Sequence, residues 1–438
     1  MSKTYRPWNP DQQWLLPPSP RDWLPQDDLV YFAMDVVGQL DLTAITGGYG
    51  QSDRGFPPFH PRMMVCLLIY AYSVGVRSSR QMAQRCQRDV AFRVIVGADV
   101  PDFRTISLFR QRHLAAFSQL FVQVLQIARP AGLVKLGQVS LDGTKIKANA
   151  SRHKAMSYGR MQEEEARLKA EITALLAQAE ATDAEEDGRY GPARRGDELP
   201  EELARGQERL ARIQAAQRAL EERARQKQEA EPGGGRGRPV QVEAKAQYNF
   251  TDPESRIMPA NNKGWEQSGN AQAVVDAQAQ IIVAADVTDQ VTDVQQVQPM
   301  LTQAQANVGA EAKLDKVSID AGYFSAANVQ WLEQAGLDGY VATGRLKHHA
   351  RIAAAPRGRI PRDLSGKERM ARKLRTRKGR AVYAWRKVVV EPVFGQLKRV
   401  LGFRQFLLRG LQQMRGEWRL ACLGYNVRRL FGLGLAVA

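Results

Sequence analysis

Residues 155 to 230 of the 438-residue chain differ from everything on either side: Glu, Ala, Arg and Gln dominate, and apolar residues recur at helical spacing. Leu168, Ile172, Leu175 and Ala179 fall on one face, and Leu203, Leu210, Ile213 and Leu220 on another, which predicts two antiparallel helices. The segment DAEEDGRYGPARRGDELP, with Gly188, Gly191, Pro192 and Gly196, predicts the tip of that hairpin, and EPGGGRGRP at 231–239 a flexible exit. The stretch therefore reads as an insertion between two blocks of strand-forming sequence.

The first block follows Gly132, where QVSLDGT at 138–144 alternates apolar and polar residues and KIKANAS continues the alternation. The second begins near Ala271: AVVDAQAQIIVAADVT carries apolar runs at Val274–Val275 and Ile281–Val287 and predicts a hairpin. Beyond it VQQVQPMLTQAQANVG predicts a helix, KVSID a strand ending in Asp320, SAANVQWLEQAG a helix and GYVATG a strand, a unit suited to a parallel edge. Residues 27 to about 132 instead predict helices around Leu29–Leu40, Met63–Val74, Gln81–Val96 and Ile106–Ile127, with Ser78, Ser79 and Thr105 as N-caps. Arg77, Arg80, Arg85, Arg88, Arg93, Arg104, Arg110 and Arg112 recur through the last two of these helices, where they contact phosphates or solvate an outer face.

At this length two or three cores are expected. A formal net charge of +17 favours a polyanionic partner, and DNA, RNA or an acidic membrane surface would each serve. No apolar run is long enough to cross a bilayer, and the N-terminal MSKTYRPWNPDQQWLLPPSP lacks an uninterrupted apolar core, so a cytoplasmic protein is expected. Cys66, Cys86 and Cys422 are odd in number and far apart, which predicts reduced core thiols. His60, His113, His153, His348 and His349 show neither HExxH nor a zinc-ligand spacing; His348 and His349, beside Lys347, predict a solvated or phosphate-facing loop. There is no GxxxxGK[ST], and GGGRG at 233–237 is no phosphate cradle.

Aspartate is disfavoured on a strand, so Asp142 in VSLDGT and Asp320 at the end of VSID need a reason. Each could cap the loop that follows it. Two of them in a basic chain suggest a magnesium site, because neighbouring carboxylates repel unless a cation bridges them. Two such ions roughly 3.5–4 Å apart activate an attacking oxygen and stabilise a leaving one.

A third carboxylate comes with a motif. Residues 362–387 hold eleven Lys or Arg, and the helix-forming YAWRKVVVEPVFGQLKRVLGFRQF that begins within them at Tyr383 contains Tyr383, Arg386, Glu391 and Lys398. This string resembles the Y, R, E, K signature of bacterial insertion-sequence transposases of the DDE type. The signature places three residues between its Arg and Glu; here Arg386 leaves four and Lys387 leaves three, so either can be the basic member. The likeness extends to FHPRMMVCLLIYAYSVGVRSSRQMAQRCQRDVAFRVIVG and PDFRTISLFRQRH, similar to the family's helical N-terminal domain, and to SLDGTKIKANAS, GNAQAVVDAQAQIIV and SIDAGYFSAANV, similar to its catalytic core.

The resemblance implies an α/β fold of ribonuclease H type: a mixed five-stranded sheet flanked by helices, with a helical N-terminal DNA-binding domain (1–132), first core strands (133–154), a charged helical hairpin insertion and Gly-rich linker (155–240) and the rest of the core with C-terminal helices (241–438). It implies Asp142, Asp320 and Glu391 as catalytic acids and ligands for Mg2+, with Mn2+ as a substitute. DNA contacts would come from Tyr383, Arg386 or Lys387, Lys398, Arg104, Arg110 and Arg112. Transposon terminal repeats and target DNA would be the partners, and a homodimer or larger assembly would hold paired ends. Lys398, seven residues after Glu391, would share its helix face and take a phosphate. The competing readings are a nuclease of the same fold that joins nothing, an inactive DNA-binding regulator, and a basic RNA-associated protein, which would leave the carboxylates without a purpose.

Overall fold

The computed structural model describes residues 19–47, 58–190, 201–230, 239–259, 264–309, 312–344, 355–358, 361 and 363–436. The N-terminal segment, part of the hairpin tip, the glycine-rich exit up to residue 238 and the His348–His349 loop lie outside them. Contacts divide the chain into one unit of Met1–Ile146 with Asn270–Ala438, and a second of Lys147–Gly269.

The first unit opens with helices α1 (Leu29–Gln39), α2 (Thr43–Thr46), α3 (Pro61–Ser73), α4 (Ser79–Arg88), α5 (Val90–Val96) and α6 (Phe103–Ala128). Their starts follow from capping chemistry. Asp28 accepts from the Val30 N–H, and Asp102 accepts from the N–H groups of Arg104 and Thr105. Thr105 is therefore inside α6 rather than its cap, because the carboxylate three residues earlier serves two amides at once. Ser78 takes the N-cap position of α4 but its side chain makes no capping bond, and Ser79 is the first helical residue. The single helix expected over Gln81–Val96 is two, broken at Asp89, whose carboxylate accepts from the Ala91 N–H and pairs with Arg85 at 2.9 Å.

Strand β1 (Gln138–Lys147) leads into the second unit, which holds β2 (Ala155–Ser157), α7 (Tyr158–Tyr190), α8 (Glu201–Ala230), β3 (Gln247–Asn249) and β4 (Arg256–Pro259). The two long helices form the expected hairpin around Met161, Leu168, Ile213, Ala216 and Leu220, with Leu210 partly buried against them. Glu164 ties them from outside, pairing with Arg167 on its own helix and Arg209 on the other, each at 2.6 Å. β2 and β3 pair antiparallel.

β5 (Trp265–Asp276) returns the chain to the first unit, followed by β6 (Ile282–Thr288), α9 (Val297–Val308), β7 (Lys316–Ile319), α10 (Ala326–Gln334), β8 (Asp338–Val341), α11 (Gly366–Arg375), α12 (Arg377–Gly395) and α13 (Leu411–Gly432). The sheet order is β6-β5-β1-β7-β8, the mixed five-stranded arrangement of ribonuclease H-like cores, with β1 central. β5 and β6 form the expected antiparallel hairpin, and β1, β7 and β8 run parallel, α10 making the crossover between the last two. A sixth strand, β4, pairs with residues 265–268 of β5; at four residues it is too short to show a period in the sequence. α13 packs against α3, α6 and β6 and buries Trp418, Leu423 and Val427 completely, so the N-terminal helices and the sheet share one core. All three cysteines are buried and free. Among the described residues no helix is long and apolar enough to cross a membrane.

Candidate active site

Leu141 on β1 and Ile319 on β7 are register partners on adjacent parallel strands, and Asp142 and Asp320 each stand one residue further on. Parallel pairing thus brings both carboxylates level with one another at the edge where β7 ends, while β1 runs on to Lys147. Glu391 reaches that edge from α12, which packs on β7 and β8. Next to it, Pro392 has no N–H to give the Val388 carbonyl one turn back. The Gln280 side-chain amide, from the β5–β6 turn, donates to that carbonyl at 2.6 Å instead. Gln280 sits at φ 59 to do so, a left-handed conformation uncommon outside glycine.

One guanidinium joins the three acids. Arg386, also on α12, lies 2.7 Å from Asp142 Oδ2, 3.7 Å from Glu391 Oε1 and 3.9 Å from Asp320 Oδ2. Its side chain is 11% exposed, whereas Asp320 and Glu391 are about half exposed, at 49% and 52%. Burial pushes the Asp142 carboxyl up to about 6, against the pull of Arg386 and of the Gly143 N–H. Burial opposes the Arg386 charge too, but Asp142, Asp320, Tyr383 and Glu391 together push its pKa up. The Tyr383 hydroxyl, on the same helix, is raised by burial and feels the same charges. The Lys398 ammonium donates to the Thr144 hydroxyl, two residues beyond Asp142. Lys398 falls in a π-helical stretch, Gln396–Val400, that ends α12; such widened turns are frequent at functional sites.

A polar floor holds β1 in place. Gln272, fully buried, donates from Nε2 to Asn270 Oδ1 and to Asp293 Oδ1, both at 2.9 Å, and accepts from the Tyr323 hydroxyl. Asp293 also accepts from Asn270 Nδ2 at 2.6 Å and pairs with Lys145 at 3.1 Å. Gly143 lies directly on this floor.

Three carboxylates round one cation are the donor set that a hard divalent ion selects. The fit is of chemistry rather than of a finished cage: the guanidinium holds the centre, its Nε has no hydrogen-bond partner, and among the described residues no three acid, imidazole or thiol groups are already gathered as ligands.

The sequence-derived DNA contacts fall into three groups. Tyr383, Arg386 and Lys398 line the acids, while Lys387, the other candidate for the motif's basic position, is exposed. Arg104 and Arg112 are exposed on α6. Arg110 is a correction: at 4% exposure it points inward, donating to the Tyr72 hydroxyl at 3.1 Å and the Arg77 carbonyl at 2.8 Å, so as folded it is not a surface contact. Sequence reasoning missed Asp293, Gln272, Asn270, Tyr323 and Thr144. Asn270 and Gln272, polar residues inside a run destined for a buried strand, were the available signal; Asp293 had none.

Residues 224–427 match the family model described as Transposase DDE domain, and residues 18–112 match the one described as Transposase domain (DUF772). The first match begins downstream of Asp142, whose association with the later acids is carried by the β1–β7 pairing. No curated protein and no solved structure matches the chain.

Proposed function

Because the chain belongs to the DDE transposases, with a DUF772 transposase domain near its N-terminus, we propose that it cuts DNA at the ends of an insertion sequence and joins the freed 3′-hydroxyl to target DNA. The observation that carries this reading is the meeting of Asp142, Asp320 and Glu391, from three separate stretches of sequence, on the single Arg386 guanidinium.

In this reading the three acids hold Mg2+, or Mn2+ in its place, once Arg386 has moved aside. The ion supplies activation of the attacking oxygen and neutralisation of charge at the phosphorus. The chain's own residues do the rest. Lys398, turned from Thr144, and the released Arg386 bind phosphate oxygens beside the reacting bond, and Tyr383 borders the same site. Cleavage forms a bond from water oxygen to phosphorus as the 3′-oxygen leaves with a proton. Joining forms a bond from that 3′-oxygen to a target phosphorus as a target 3′-oxygen leaves. One phosphodiester replaces another, so no nucleotide hydrolysis is required, in keeping with the missing phosphate-loop motif.

The helical region 1–132 grips DNA, the insertion 155–240 is accessory, and residues 133–154 with 241–438 perform the chemistry. Two ends must be processed together, so a dimer or larger assembly forms on DNA in the cytoplasm, at the nucleoid; gel filtration with and without end DNA tests this. For the reaction itself, labelled end duplex, plasmid target and magnesium should yield cut and joined products. Asp142→Ala, Asp320→Ala and Glu391→Ala should each abolish both products while DNA binding persists. Cleavage surviving any one substitution removes that residue from the triad. Cutting without joining favours a nuclease, and binding without either favours a regulator.

A further inference from the structure

A second site lies on the helical side of the first unit. Between the starts of α4 and α6 is a cleft of about 460 Å³, lined among others by Ser78, Arg80, Phe103, Arg104, Ser107 and Arg110. Two exposed arginines share one aromatic ring there: the guanidinium carbons of Arg80 and Arg104 lie 5.1 and 5.6 Å from the centroid of Phe103. Among the described residues no carboxylate forms an ion pair with either side chain, so two like charges share one ring without a direct partner. The first amides of α4 receive no bond from the Ser78 side chain, and Ser78, Ser79 and Arg80 line the cleft. Beneath them, Arg110 is 4% exposed, and its Nε has no partner although its Nη1 has two. Cations and hydroxyls line this cleft, and the carboxylates nearest it are already engaged, Asp102 by the Arg104 and Thr105 N–H groups and Glu417 by those of Leu407 and Leu408.

The cleft is physically tied to the carboxylate site. Leu407 forms part of its wall, and Leu407 stands nine residues after Lys398, which touches Thr144 beside Asp142. Arg77 clamps the intervening segment, donating to the carbonyls of Gly402 and Gln405 at 2.8 Å each and lying 4.6 Å from the centre of the Phe403 ring. Buried Glu417 accepts from the N–H groups of Leu407 and Leu408 and fixes its far end. Nine residues span at most about 30 Å, roughly nine base-pair steps of a duplex. The cleft wall at Leu407 therefore lies within the reach of one short duplex from Lys398.

We propose that this cleft seats the sugar–phosphate backbone of duplex DNA flanking the reacting bond, with Arg80 and Arg104 each neutralising one phosphate. The assignment rests on the transposase reading but names a contact outside its chemistry, and it predicts affinity without sequence preference, because phosphates carry no base information.

The test is equilibrium binding of the full chain, in EDTA so that nothing is cut, to two unrelated duplexes of about 30 base pairs across a range of NaCl. Each phosphate contact contributes about 0.9 to the slope of log affinity against log salt, and roughly fivefold in affinity near 0.15 M salt. The double variant Arg80→Gln/Arg104→Gln should lower the slope by about 1.8 and the affinity roughly thirtyfold, equally on both duplexes, while Arg80→Lys/Arg104→Lys retains most of the slope. If the double variant does not fold, the single variants should each lower it by about 0.9. An unchanged slope in a folded variant overturns the proposal, as does a loss confined to one sequence. Wild-type protein that binds and cuts DNA while the variants bind like it defeats the cleft alone; wild-type protein that binds no DNA defeats the transposase reading with it.

Discussion

Gly143→Ala adds one carbon beside Asp142, and the floor beneath leaves no room for it. An alanine Cβ would collide with Gln272 Nε2 and lie 3.0 Å from both Gln272 Cδ and the Tyr323 hydroxyl oxygen. Ordinary contacts need about 3.5–4 Å, so amide or strand must yield by about 1 Å. The amide has nowhere to go: Asn270, Asp293 and Tyr323 hold its polar atoms, and the Gln272 carbonyl accepts from Trp418 Nε1 at 2.9 Å. Overpacking costs about 1–3 kcal/mol. A buried amide stripped of a partner adds about 1–3 kcal/mol. Gly143 is not in a left-handed conformation, so alanine meets no backbone penalty and returns about 0.4–1 kcal/mol through the unfolded chain. The net loss is about 3 kcal/mol, read by urea denaturation, and cleavage should fall at least ~100-fold as Asp142 is displaced. In a Gln272→Ala background the colliding amide is gone and only the Tyr323 hydroxyl crowds the new carbon, so Gly143→Ala should cost at most about 1 kcal/mol. Additivity of the two substitutions within about 0.5 kcal/mol would refute the collision as the cause.

Arg386→Gln removes the cation from among three acids; the metal-free protein should lose about 2–4 kcal/mol, and magnesium should raise its melting temperature more than that of wild type, an order that equal shifts in a thermal scan would contradict. Gln280→Ala leaves the Val388 carbonyl without its substitute donor and should cost about 1 kcal/mol in urea, with a wild-type midpoint counting against the repair of the Pro392 gap. Burial pushes Cys66 up to about 12, Cys86 up to about 11 and Cys422 upward as well, so at pH 8 about one Cys86 in a thousand is thiolate. Native protein should resist iodoacetamide at pH 8 and react at three sites once unfolded. The folded thiols keep protons that the unfolded chain releases near pH 9, so stability should fall as pH climbs beyond 9; rapid native alkylation would show that the cysteines are not in the core.

The fold was legible where period and length agreed. β5 and β6, the β7-α10-β8 unit and the long hairpin α7–α8 each carried a run of apolar residues at the spacing their element demands. What escaped was set by contacts far away in sequence. β4 is a strand because residues 265–268 offer it a partner. The break between α4 and α5 follows from which side chain is free to cap, and the period of the apolar residues does not record it. That α13 completes the core of the N-terminal helices could not be read either, because amphipathicity says that a helix has a partner and not which one.

The same limit explains the one ambiguity at the motif's basic position. Lys387 precedes Glu391 by four residues and Arg386 by five, so helical periodicity alone would place Lys387 on the glutamate's face and Arg386 about 140° away. The fold reverses that preference. Val389 and Val390 are buried against the core, Lys387 is left in solvent, and the Arg386 guanidinium lies 3.7 Å from Glu391. The planar fork of Arg386 faces Asp142 with one nitrogen and Glu391 with the other, which an ammonium could not do. Spacing counted along an ideal helix places a Cα on a face, but a long guanidinium side chain reaches around the helix to partners that only the fold brings near.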